Sequence, residues 1–135
     1  MTGVARARPP LTCRHVRLQA LRGAITCDAN TKSEITDKTQ QLVHELLTRN
    51  GLAHDDLVSI IFTATEDLTA EFPATAAREL GLGDIPLLCA RELTIDGKLP
   101  RVIRVLVHCY TSRPRVELHH IYLGAARALR DDLPE

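Results

Sequence analysis

Two runs of the chain, LVSIIFTAT at residues 57–65 and RVIRVLVHC at residues 101–109, limit its fold more than anything else in the sequence. Both have strand length, both are rich in β-branched residues, and both are apolar on each of their alternating faces. Strands of that kind lie in sheets covered on both sides. Within the second run Val102, Arg104, Leu106 and His108 share one face, and Ile103, Val105 and Val107 share the other. The latter is a core face. The former carries a permanent cation, Arg104, which costs several kcal/mol when shielded from water unless an anion meets its donors.

The rest of the pattern places these strands. VRLQALRGA (16–24) alternates, with Val16, Leu18 and Ala20 on one face of a first strand that is expected to turn at Arg22-Gly23. Thr31 followed by Glu34 forms a capping box, and Ile35, Thr39, Leu42, Val43, Leu46 and Leu47 recur at helical spacing up to a stop at Asn50-Gly51. TAEFPATAAREL (69–80) predicts a short Ala-rich helix interrupted early by Pro73. The strand IPLLCA, a polar turn around Asp96-Gly97, the strand at 101–109, a Pro-containing turn or short helix at 112–120, a brief strand at 121–123 and the tail ALRDDLPE come next. The order β-α-β-α-β-β with a small final strand predicts an α+β fold, a mixed sheet with helices on one face. One long helix cannot cover such a sheet, and the uncovered apolar face calls for a second copy, so a homo-oligomer is expected.

At 135 residues the chain holds one domain, expected at 16–133, after a basic, Pro-Pro-containing extension over 1–15 expected to be disordered. The tail is expected to be mobile from about residue 128. Seventeen Lys and Arg balance seventeen Asp and Glu, and aromatic residues make up 3% without Trp, so neither a field nor a stacking platform recruits nucleic acid. No apolar run approaches the roughly 18 residues of a membrane span. Cys13, Cys27, Cys89 and Cys109 are scattered without a CxxC pair or a secretory apolar segment, which suggests reduced thiols and a cytoplasmic location. Cys13 with His15, or His108 with Cys109, supplies only local ligand pairs, and no metal is expected.

Arg104 then needs an anion from somewhere. Glu92, at the neighbouring strand end, is a structural salt-bridge partner on one reading. On the other, both residues line a pocket and hold opposite ends of an anionic, hydroxyl-bearing ligand. Further arginines at element ends, Arg22, Arg78 and Arg130, favour the pocket, although each alone reads as a solvated surface charge.

LRGAIT (21–26), TATEDLTAEFPATAARELG (63–81), PLLCARELTIDGKLPRVIRVLVH (86–108) and HHIYLGAARALRDDL (119–133) together resemble the monofunctional chorismate mutases of the Bacillus type. The signatures RGA, DL-x-x-x-FPA-x-A-x-R, P-x-x-C-x-x-E, I-R-V and Y-L-x-x-A-x-x-LR occur in order across residues 16–133. The resemblance implies a homotrimeric pseudo-α/β barrel with active sites between subunits. It implies the Claisen rearrangement of chorismate to prephenate on the shikimate route to Phe and Tyr, with no cofactor and no metal. Arg104 matches the cation aimed at the breaking ether oxygen, and on this reading it has no fixed internal partner. Arg22 matches the arginine on a substrate carboxylate, Glu92 and Cys89 match hydrogen-bond partners of the ring hydroxyl, and Tyr122 matches a contact to a carboxylate. Phe72 and Leu129 match apolar walls, and Arg78 and Arg130 match peripheral cations. Thr75 stands where relatives often carry Lys and Leu88 where they often carry Thr, which loosens two secondary polar contacts to substrate, and Arg91 stands where they usually carry Gln and adds a charge the sequence does not place. TED and RDD replace TPD and RPD. The competing classes are a trimeric imine or enamine deaminase, which would not need Cys89 with Glu92, and a non-catalytic trimer binding a small carboxylate.

Overall fold

The computed structural model describes residues 15–130, with the side chain of Arg130 excepted. Most of the expected N-terminal extension, Cys13 and residues 131–135 of the tail lie outside the described residues.

The first strand, β1 (Arg17–Thr26), does not turn at Arg22-Gly23 but runs through it. Gly23 is there for closeness: a Cβ at this position would stand 2.9 Å from the Ile121 carbonyl oxygen and 3.1 Å from Leu42 Cδ1. The buried face of β1 is Leu21, Gly23 and Ile25, whereas Leu18, Ala20 and Arg22 lie on the opposite, exposed face. Helix α1 (Lys32–Arg49) begins where Thr31 Oγ1 accepts the Glu34 N–H at 3.2 Å. The Glu34 carboxylate reaches back to the Asp28 N–H rather than closing the expected box on Thr31. β2 (Leu57–Ala64) comes next, and α2 (Pro73–Ala77) starts at Pro73, which therefore opens the helix instead of interrupting it. Proline loses nothing at a first helical position, where its missing N–H would be unpaired anyway. β3 (Leu87–Arg91), β4 (Val102–Thr111) and β5 (Ile121–Leu123) complete the sheet, and the tail continues as a 3-10 segment, Gly124–Arg130.

The five strands run in the order β3-β2-β4-β1-β5. β4 is antiparallel to both β1 and β2, whereas the β2–β3 and β1–β5 pairs are parallel, so the sheet is mixed as expected. α1 lays Ile35, Leu42, Val43 and Leu46 on Leu21, Ile25, Val105, Val107 and Ile121. Fully burying each such side chain stabilises the fold by about 1.5–3 kcal/mol. α2 packs beside α1 on the same side of the sheet.

Among the described residues, the other face is covered only at its β1–β5 end, where Ala24, Val102, Tyr122 and Ala126 form a small cluster with Leu99 and Leu129 against it. Elsewhere that face leaves Leu18, Leu88 and Tyr110 exposed by about half of their surface.

Candidate active site

Strand register builds a site on the uncovered face. Ala90, Thr63, Arg104, Ala24 and Tyr122 are successive partners across β3, β2, β4, β1 and β5. The adjacent row on that face is Leu88, Ile61, Leu106 and Arg22. Where the rows meet, Arg22, Thr63, Glu92, Arg104 and Tyr122 line a cleft of about 310 Å³, with Ile61 and Leu106 as its apolar floor.

Glu92 comes from just beyond β3. Its N–H donates to the Ala64 carbonyl at 2.9 Å, which pins it over the end of β2 beside Arg104. Glu92 Oε2 accepts the Thr63 hydroxyl at 2.6 Å and stands 3.4 Å from Arg104 Nε. The expectation that Arg104 has no fixed internal partner is thus corrected: parallel β2–β3 pairing delivers a carboxylate to it. The pair is nevertheless incomplete, because Arg104 Nε is buried and makes no hydrogen bond despite its short distance to Glu92. The Arg104 side chain is still 43% exposed, so solvent reaches the rest of its guanidinium at the cleft. Neither sequence reading alone describes this geometry, an internal ion pair that also opens onto a pocket.

Arg22 is fixed through its backbone, whose N–H donates to His120 Nδ1 at 3.0 Å and so continues the β1–β5 pairing by one side-chain bond. Motif reading missed both Thr63 and His120. A period-2 count through β2 would have put Thr63 on the face of Ile61, and HH before a brief strand was the trace of His120.

The other predicted residues gather elsewhere. Cys89 pairs in register with Phe62, so it faces the helix side of the sheet and not the cleft. With Phe72, Pro73, Glu71 and Arg91 it lines a larger groove of about 630 Å³, which Thr63 also reaches. Within one chain Cys89 and Glu92 therefore serve different pockets. Phe72 is 65% exposed at the groove wall, placed by the turn into α2. Glu71 braces that turn by accepting the Phe72 N–H at 2.9 Å and the Thr75 hydroxyl at 3.2 Å. The Phe72 hydrogen bond, more than those from Thr75 and Lys32, holds the Glu71 carboxyl below its usual range.

Thr75 also accepts from Arg78 Nη2 at 3.3 Å. Asn30 ties the preceding loop down, its Oδ1 accepting from the N–H groups of Thr69 and Ala70. Arg91, a charge the sequence left unplaced, pairs with Glu66 at the groove mouth. Leu88 faces the open side, and Leu129 packs on the cluster containing Tyr122. Among the described residues no three His, Cys, Asp or Glu side chains group as a metal-ligand set, and no helix is long and apolar enough to cross a membrane.

The cleft offers two guanidinium groups, a carboxylate, a hydroxyl and a phenol on an apolar floor. Such a set suits a small ligand with carboxylates at one end and a hydroxyl at the other. Its cations and hydrogen-bonding groups can hold and polarise such a ligand.

Comparison with known proteins places the chain among relatives. A family model, chorismate mutase type I, matches residues 18–133. The chorismate mutase AroH of Thermus thermophilus is 45% identical over 117 residues, spanning 86% of this chain and 96% of that protein. The chorismate mutase AroH of Bacillus subtilis (strain 168) is 38% identical over 117 residues, spanning 86% of this chain and 92% of that protein. Among solved structures, a chorismate mutase from Clostridium thermocellum superposes with a TM-score of 0.80 at 44% identity, covering 82% of this chain and 98% of that one.

Proposed function

The chain belongs to the type I chorismate mutases, and from that premise we propose that the cleft of Arg22, Glu92, Arg104 and Tyr122 is the catalytic half of the site where it isomerises chorismate to prephenate. One observation carries this reading: two arginines and a carboxylate share a cleft on a sheet face that the described residues leave open.

The rearrangement is a pericyclic step in which an ether C–O bond breaks as a C–C bond forms. When breaking runs ahead, negative charge grows on the ether oxygen. A cation already in place there stabilises the transition state more than the ground state. Arg104 takes that role, because its rigid strand position sets where the guanidinium can reach. Arg22 takes a substrate carboxylate, Tyr122 assists it, and Glu92 accepts the ring hydroxyl; together they hold the enolpyruvyl arm over the ring, which removes part of the barrier as orientation.

The second half comes from a neighbouring copy in a homotrimer. Phe72 and Cys89 lie in a separate groove, whose Glu71 wall is braced by Thr75 and through it by Arg78, and an adjoining subunit would bring such a groove edge against the cleft. The exposed apolar residues Leu18, Leu88 and Tyr110 support association on this face. Leu129, from the tail, closes the site beside Tyr122. The unpaired thiols Cys27, Cys89 and Cys109 suit a reducing, cytoplasmic setting.

The test monitors loss of chorismate absorbance with purified protein. Arg104→Ala is expected to lower kcat by roughly 10²–10³ or more, the cost of one preorganised donor. Citrulline at position 104, neutral and of the same shape, should lose a similar factor. Wild-type activity in the citrulline protein would remove the electrostatic role of Arg104.

A further inference from the structure

We propose that Thr63 is a positioning residue whose hydroxyl keeps Glu92 from closing a full salt bridge onto Arg104. The inference rests on the reading of Arg104 as the cation at the ether oxygen. It starts from a competition that the site contains. A carboxylate beside a guanidinium normally turns to make parallel N–H···O bonds, the strongest arrangement available to the pair. Here it does not. Glu92 Oε2 stands 3.4 Å from Arg104 Nε, yet that Nε is buried without a hydrogen bond.

The difference lies in Thr63. It is the β2 partner of Arg104 in register, so its side chain rises beside the root of the arginine. Its hydroxyl donates to the same oxygen, Glu92 Oε2, at 2.6 Å. A β-branched side chain on a central strand has few rotamers, so this bond is a stiff tether. The Glu92 backbone is held at the same place by its bond to Ala64, which leaves the carboxylate little reach. With Oε2 tethered, Glu92 cannot swing both oxygens to the guanidinium. The carboxylate stays turned toward the hydroxyl it is to accept, and Arg104 keeps its outer donors for the charge that develops on substrate.

Loss of the tether has a definite consequence in this geometry. Valine at position 63 keeps the shape and removes the donor. Glu92 then has Arg104 as its nearest donor and closes on it, drawing the cation aside and neutralising it where its charge is needed. Thr63→Val is expected to lower kcat about 10- to 100-fold while KM rises less than about fivefold, the split that marks loss of a transition-state interaction. Thr63→Ser, which keeps the hydroxyl, should restore most of the activity.

A double-mutant cycle separates this from simple packing. In a Glu92→Gln background no salt bridge can form, so Thr63→Val should cost little further activity there. Equal losses from Thr63→Val in both backgrounds would overturn the proposal, as would a Thr63→Val protein with wild-type kcat. Thr63→Ala carries the same comparison if the valine protein does not fold. A wild-type protein without chorismate turnover, or an Arg104→Ala protein with full turnover, would instead sink the underlying assignment of Arg104.

Discussion

Asn50 joins the helix layer to the strand that carries Tyr122, and removing its side chain should cost about 4 kcal/mol. It caps the C-terminus of α1 at 1% exposure. Its Nδ2 donates to the Leu46 carbonyl at 2.9 Å and to the His119 carbonyl at 2.9 Å, and its Oδ1 accepts the His119 N–H at 2.7 Å. Each bond contributes about 1 kcal/mol net, and a buried partner left unpaired costs about 1–3 kcal/mol more. Asn50→Ala removes three bonds and strands their partners, of which water can reach some, so the sum lies near 4 kcal/mol. That is a large part of the roughly 5–15 kcal/mol that holds a domain together. A melting temperature lower by roughly 10 °C or more is expected for a chain of this size.

Urea unfolding of wild type, Asn50→Ala and Asn50→Leu measures it, at one protein concentration because self-association, where it occurs, makes apparent stability depend on concentration. Leucine fills the volume without the bonds, so a leucine protein as weak as the alanine one assigns the loss to hydrogen bonding and not to a cavity. Turnover should fall as well, because His119 leads into His120, whose ring accepts the Arg22 N–H. An alanine protein within about 1 kcal/mol of wild type, the size of one hydrogen bond, would refute the reasoning.

Other consequences are as direct. Gly23→Ala should destabilise by about 3 kcal/mol, the upper end of overpacking, because the obstructing atom at 2.9 Å is the Ile121 backbone oxygen and cannot rotate away; an unchanged melting temperature would mean that β5 yields freely. Burial pushes the Cys27 thiol up to about 11 and raises Cys109 as well. At pH 8 only about one Cys27 in a thousand is thiolate, so alkylation of the native protein should reach Cys89 well before Cys27 or Cys109, read by peptide mass spectrometry. His54 is raised above 6.5 by its hydrogen bond to Asp84 and then by Asp55, and Asp84 is lowered below 3.8 chiefly by His54. The His54 contribution is therefore complete below about pH 6.5 and lost as pH rises through its raised value, and that of Asp84 is lost as pH falls through its lowered one. His54→Gln should shrink the difference in melting temperature between pH 5.5 and 8.5, and an unaltered difference would show that the exposed clasp contributes nothing.

The sequence disclosed what repeats along the chain and hid what depends on distance through space. Ile35, Leu42, Val43 and Leu46 announced α1, and the alternation through β4 assigned Arg104 to the face opposite the core. Arg22-Gly23 misled because glycine marks either a turn or a close approach, and only the packing of Leu42 and Ile121 chooses between them. Pro73 misled for a related reason, since whether proline breaks or begins a helix depends on where the first turn starts. Glu92 was legible as a partner for Arg104, but the oxygen shared with Thr63 was not, because the bond joins residues 29 positions apart. Cys89 and Glu92, read as one motif, separate in space because neighbours of odd spacing at a strand end leave on opposite sides of the sheet.

The open face raises an electrostatic problem together with a hydrophobic one. Arg104 is 43% exposed in the single chain. At 4 Å a unit charge interacts with another by about 1 kcal/mol in water and about 4 kcal/mol at an effective dielectric near 20. A cleft as wet as bulk water would fall short of the roughly 3–4 kcal/mol that one preorganised donor supplies, which is the role proposed for Arg104. Covering the face with another copy would bury Leu18, Leu88 and Tyr110 and exclude water from Arg104 in the same step. On the function proposed for the cleft, assembly would then be part of catalysis: the strand that looked too apolar for a one-sided sheet and the arginine that looked too polar for its strand would be served by the same neighbour.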